Sequence, residues 1–144
     1  MIINAWQLVQ DKMFTEQLNK LIAEIVKLQQ TQPESFKEHP KTKKLARIYK
    51  LMLEEIPADP AHAQWNQGNT LGEDFRFWKR AKFGPNHFRL FFRYDGSRQV
   101  IIYAWMNDEK TLRKDGDKND PYAIFAKGLR NGDPPSDLND LLKR

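Results

Sequence analysis

Residues 75–105 decide the fold: FRFWKRAKF from Phe75 to Phe83, GPN at 84–86, HFRLFFRY from His87 to Tyr94, DGSR at 95–98 and QVIIYAW from Gln99 to Trp105. Runs rich in β-branched and aromatic residues, separated by short breaks of turn-forming residues, predict three strands in an antiparallel meander. Successive side chains on a strand point to opposite faces. Phe75, Phe77, Ala81 and Phe83 share one face of the first strand, with Lys79 the exception, while Arg76, Trp78, Arg80 and Lys82 share the other. In the second strand Phe88, Leu90, Phe92 and Tyr94 oppose His87, Arg89, Phe91 and Arg93. In the third, Val100, Ile102 and Ala104 oppose Gln99, Ile101, Tyr103 and Trp105. Phe77, Phe88, Leu90, Phe92, Val100 and Ile102 are expected to be buried beneath the N-terminal helices.

Upstream of the meander, Leu18, Leu21, Ile22, Ile25, Val26 and Leu28 recur at helical spacing after Thr15, which reads as an N-cap. The pattern stops before Pro33. A second helix opens after Pro40, carries Leu45, Ile48, Tyr49, Met52 and Ile56, and is ended by Pro57. Lys41, Lys43, Lys44, Arg47 and Lys50 decorate it and read as a solvated face. Residues 57–74, with their Pro, Gly, Asn and Asp, read as a long loop. Downstream, Asp120 reads as an N-cap and Pro121 as the first helical residue, with Tyr122, Phe125, Ala126 and Leu129 on one face and Asn131-Gly132 at the end. Pro134-Pro135 interrupts before a short helix from Leu138 to Leu142. The expected fold is α+β over a single domain, residues 1–144, with two N-terminal helices packed on a small antiparallel sheet and helices at the C-terminal end.

Composition agrees with a packed core: 40% of the 144 residues are hydrophobic and 12% aromatic. No apolar run approaches the roughly 20 residues of a membrane span. The N-terminal MIINAWQLVQDKMF holds Asp11 and Lys12 and lacks a basic leading region, so it is not a signal peptide. The absence of cysteine excludes disulfide scaffolds, thiol nucleophiles and cysteine zinc sites, and fits a reducing cytoplasm. Net charge is +5, a surplus that points to an anionic partner.

That surplus has a place. From Arg76 to Arg93 the chain carries six basic residues, Arg76, Lys79, Arg80, Lys82, Arg89 and Arg93, and no acidic one. Like charges on adjacent strands repel unless an anion or partner neutralises them. Guanidinium groups pair phosphates and rings stack on bases, so this face suits single-stranded nucleic acid. The alternative makes the rings a second layer of core under helices and the arginines rim residues bonded to carboxylates. No P-loop, GxSxG or HExxH motif occurs. The three histidines, His39, His62 and His87, are too scattered for a metal site, and Asp108, Glu109, Asp115, Asp117 and Asp120 lack the calcium-loop pattern. No metal and no cofactor is expected. Metal-free RNA cleavage fits what remains: the 2′-OH attacks its own phosphate, and the protein supplies a base, an acid and positive charge.

WKRAKFG, FRLFFRY, VIIYAWMNDEKTLR and DPYAIFAKGLRNGDPPSD, after a two-helix N-terminus, resemble the YhaV family of bacterial type II toxins. The resemblance covers almost the whole chain and is tightest from Trp78 to Asp137. It implies a RelE/ParE-like fold and an endoribonuclease acting on mRNA, free or on the ribosome. It also implies a PrlF-type antitoxin with an AbrB-like DNA-binding part, and repression of operator DNA by the complex. By motif position it implies Arg80, Lys82, Arg89, Arg93, Glu109 and Tyr122 as catalytic residues, with Arg80 leading. Arg76, Trp78, His87, Asn107 and Arg113 would contact RNA. His87 stands where the family pattern carries a basic residue, so it is not assigned as general base. The antitoxin is expected over Arg80, Arg89 and Arg93. Two rivals use the same scaffold without cleaving RNA: a ParE-like toxin that blocks a protein target, and a repressor subunit that binds nucleic acid.

Overall fold

The computed structural model describes residues 1–84 and 87–144. Five strands, β1 (Ile2–Ile3), β2 (Trp6–Gln10), β3 (Lys79–Phe83), β4 (Phe88–Asp95) and β5 (Val100–Met106), form one sheet in the order β1-β2-β5-β4-β3. The meander is antiparallel as expected, but the sheet is mixed, because β2 pairs parallel with β5 from Gln7–Val100 to Gln10–Tyr103. Of the expected turn Gly84-Pro85-Asn86, Pro85 and Asn86 lie outside the described residues. The first meander strand begins at Lys79 rather than Phe75; residues Glu73–Phe75 form a 3-10 turn instead. Alternation therefore fails at Phe77, which is 39% exposed.

Helix α1 (Lys12–Thr31) starts three residues before the expected cap. Asp11 is the N-cap, its Oδ2 accepting from the Met13 N–H at 3.1 Å. Phe14, Leu18, Leu21 and Ile25 form the buried stripe, while Val26 lies outside it and is exposed. Helix α2 (Pro40–Lys50) does not stop at Pro57. It widens into a π-helical turn, Leu51–Glu55, and runs on into α3 (Ile56–Ala58), which has Pro57 in its first turn. A proline ring clashes with the carbonyl four residues back in an α-helix, and the wider turn relieves this. The Met52 carbonyl in that turn accepts from the buried Tyr103 Oη at 2.7 Å.

Helices α4 (Pro121–Arg130) and α5 (Leu138–Leu142) match the expected bounds. They cover the other side of the sheet. One core packs α1 and α2 against Leu90, Phe92, Ile101 and Tyr103. A second packs α4 and α5 against Trp78, Phe91, Val100, Ile102 and Ala104. Val100 and Ile102 are buried, but beneath α4 and α5 rather than the N-terminal helices. Phe91 stacks on Phe125 at 4.5 Å and 8°, and Trp78 meets the same ring edge-on at 5.1 Å. The rings on the arginine face are core, as the alternative reading held. A bulge at Ala104, between the Phe92–Tyr103 and Phe91–Trp105 pairs, turns Trp105 toward this second core and Met106 toward the first.

Candidate active site

The site grows from the N-terminus of α4. Asp120 caps the helix, Oδ2 accepting from the Tyr122 N–H at 3.0 Å, and Pro121 supplies a pre-set first helical residue. The cap fixes Tyr122 on the sheet-facing side of α4, edge-on to Phe91 at 5.5 Å. Its Oη reaches the arginine face of β3 and β4. Arg80 Nε donates to it at 3.0 Å, and Arg89 Nε donates to it at 3.0 Å. Arg80 is further tied by Nη1 donating to the Gln64 carbonyl at 2.7 Å. Arg113 lies 5.0 Å from the Tyr122 ring centroid, within cation–π range. The second oxygen of Asp120 accepts from Arg113 Nη1 at 2.5 Å and from the Lys114 N–H at 2.7 Å. One carboxylate therefore orients both the tyrosine and the third arginine. A cleft of about 390 Å³ opens here, lined by Tyr122, Arg113, Thr70 and the 115–118 loop.

Two guanidiniums on one hydroxyl, with a third over the ring and paired to Asp120, make a positive, partly desolvated spot. With Oη accepting from both Arg80 and Arg89, the phenolic O–H is the group left to donate. Charge here favours a phosphate, and the phenol can pass it a proton.

The expected site residues divide. Arg80, Arg89, Arg113 and Tyr122 meet. Lys82 lies directly across from Arg89 in the β3–β4 register and is exposed at the sheet edge. Arg93, on the same face of β4 four residues beyond Arg89, is instead held over the Phe77 ring at 4.4 Å and donates to the Ser136 carbonyl at 2.8 Å. Arg76 is exposed and bonded to the Asn69 side chain. His87 is exposed. Trp78 is fully buried against Phe125, so its expected contact with RNA gives way to packing. Asn107, also expected on RNA, is 1% exposed, its side chain bonded to the backbone.

Glu109 lies on the side of α1 and α2, where its carboxylate pairs with Lys44 at 3.5 Å. Lys44 was read as part of a solvated face, yet its side chain is only 9% exposed and its Nζ sits 3.9 Å over the Phe88 ring. Burial pushes its pKa down, against the pull of Glu109. The signal was present: Lys44, Ile48 and Leu51 fall at i, i+4, i+7, the line that α2 buries. Lys44 lines a second cleft, about 480 Å³, between the two helices and residues 106–110. Among the described residues no group of three or more His, Cys, Asp or Glu side chains is placed to hold a metal ion, and no helix is long and apolar enough to cross a membrane.

Ribonuclease toxin YhaV of Escherichia coli (strain K12) is 39% identical over 142 residues, 98% of this chain and 92% of its own. Toxin YhaV of Escherichia coli O6:H1 (strain CFT073) is 40% identical over 140 residues, 96% of this chain and 91% of its own. No solved structure matches the chain. The family model for YhaV toxins matches residues 8–144, and the chain belongs to that family, toxins with endonuclease activity of toxin–antitoxin systems.

Proposed function

We propose that this chain is a cytoplasmic endoribonuclease toxin that cleaves RNA without a metal, through the 2′-OH of the substrate, and is silenced by a PrlF-type antitoxin. The observation that carries the reading is the Tyr122 hydroxyl accepting from Arg80 and Arg89 at 3.0 Å each. The 2′-OH loses its proton to solvent water as its oxygen attacks phosphorus, the bond to the 5′-oxygen breaks, and a 2′,3′-cyclic phosphate remains. Arg80, Arg89 and Arg113, with Lys82 at the rim, neutralise the charge that builds on the phosphorane. Tyr122 delivers its proton to the departing 5′-oxygen. The pairing of Glu109 with Lys44 on the α1 and α2 side favours Tyr122 over Glu109 in this role.

The deciding experiment is cleavage of a short RNA by purified protein in EDTA. The expected products carry a 2′,3′-cyclic phosphate or its 3′-phosphate, and RNA methylated at the scissile 2′-oxygen is left intact. A 5′-phosphate product that needs added metal would overturn the mechanism. No cleavage by folded protein would favour the ParE-like or repressor readings.

A further inference from the structure

Asn107 lies at the end of β5, just beyond the Ala104 bulge, and its side-chain amide makes three hydrogen bonds. Oδ1 accepts from the Arg89 N–H at 2.6 Å. Nδ2 donates to the His87 carbonyl at 3.1 Å and to the Thr111 carbonyl at 2.7 Å. The Arg113 N–H meets the same His87 carbonyl at 3.2 Å. On the other side, Lys44 Nζ donates to the Asn107 carbonyl at 3.4 Å. One buried side chain thus joins three stretches of backbone: His87 before β4, Arg89 in β4, and the 108–113 loop. Arg89 and Arg113 are two of the three guanidiniums around Tyr122.

We infer that Asn107 is a positioning residue, which sets Arg89 through its backbone and Arg113 through the loop so that both guanidiniums converge on Tyr122. The inference rests on the reading of the Tyr122 cluster as the active site. The task needs one acceptor and two donors on a short planar group, and asparagine supplies them. Aspartate keeps the acceptor and has no donor. Serine is too short to span the three carbonyl and amide groups.

The test uses the full chain and three measurements: single-turnover cleavage of an RNA oligonucleotide, equilibrium binding of the same oligonucleotide methylated at the scissile 2′-oxygen, and amide hydrogen exchange at Arg89 and Arg113. Asn107→Asp should lower the cleavage rate by about 10- to 100-fold, the scale of a small misplacement of catalytic groups. Binding should stay within about threefold, because the side chain does not touch RNA. The Arg113 amide should exchange faster while the Arg89 amide stays protected. In an Arg113→Ala background the same substitution should add little to the loss, since both act through one group. Asn107→Ser, which buries no charge, replaces it if the aspartate variant does not fold, and both the Arg89 and Arg113 amides should then exchange faster. Weakened binding at an unchanged cleavage rate, additive losses in the cycle, or unchanged exchange at Arg113 would each overturn the inference. A Tyr122→Phe protein as active as the parent would overturn the active-site reading instead, and the exchange data would still show whether Asn107 holds the loop.

Discussion

The Tyr122 hydroxyl is where two strands and a helix meet, and its removal is the most direct test at the residue scale. Tyr122→Phe keeps the ring against Phe91 and deletes the hydroxyl proposed as proton donor. The expected loss in single-turnover rate is about 100- to 1000-fold, as for a general acid. Arg80→Ala should cost a similar factor by removing one charge from the phosphorane. Arg76→Ala should change little, because among the described residues Arg76 is exposed and bonded to the Asn69 side chain. Equal losses for Arg76→Ala and Arg80→Ala would move the site away from Tyr122. Lys44 gives a second test, of stability. Burial lowers its pKa from the ordinary lysine value of 10.5, with Glu109, Asp108 and Glu24 opposing. The folded protein therefore releases this proton before the unfolded chain does. In the alkaline window below 10.5 the unfolded state binds more protons, so this site's contribution to stability rises with pH. Lys44→Met should raise the melting temperature near neutral pH, with a gain that shrinks as pH nears the unfolded value. A gain independent of pH would assign the effect to packing alone.

The meander and the C-terminal helices were legible at the scale of elements because their signals are local. Turn residues bound the strands, and Asp120-Pro121 and Asn131-Gly132 bound α4. The N-terminal strands were not, since WQLVQ becomes a strand by pairing in parallel with β5, some 90 residues away in sequence. Within each strand alternation sorts residues correctly from Lys79 to Ala104, but periodicity does not match the faces of β5 to those of β4, nor say that both faces are covered. That is why Trp78 looked like an RNA platform and is a core residue. The site was half legible for the same reason. Arg80 and Arg89 share a face by alternation, whereas the Asp120–Arg113 pair depends on how the loop before α4 returns. Asp120 joins cap and site, so its loss should register in both. Asp120→Ala removes the cap of α4 and unpairs Arg113, and should cost about 2–3 kcal/mol in denaturant unfolding. Asp120→Asn keeps an oxygen for the Tyr122 N–H and should cost less. If both variants unfold at the parent's denaturant concentration, the cap does not hold α4 in place.

Across the whole molecule, covering the sheet on both sides decides which cations a partner can reach. Arg89 lies on the inner strand β4 and is 3% exposed. Arg80 and Lys82 lie on the edge strand β3, with Arg80 half-buried and Lys82 exposed. An antitoxin that silences the Tyr122 site by contact is therefore expected to meet Arg80, Lys82 and the half-buried Arg113, with Arg89 out of reach and Arg93 held by Phe77 and Ser136. The net charge of +5 adds a long-range pull on an acidic partner. Exposed charge pairs are screened over about 8 Å at physiological salt, while apolar contacts are not. Affinity for the cognate antitoxin should thus fall at least about tenfold between 0.05 and 0.5 M salt, chiefly through slower association. Arg80→Ala/Lys82→Ala should weaken binding and flatten that dependence, and Arg93→Ala should leave it unchanged, because Arg93 is engaged with Phe77 and Ser136. Titration of the parent and the two variants across a salt series makes the comparison. A double variant that binds with the parent's affinity and salt slope would place the antitoxin on another face of the toxin.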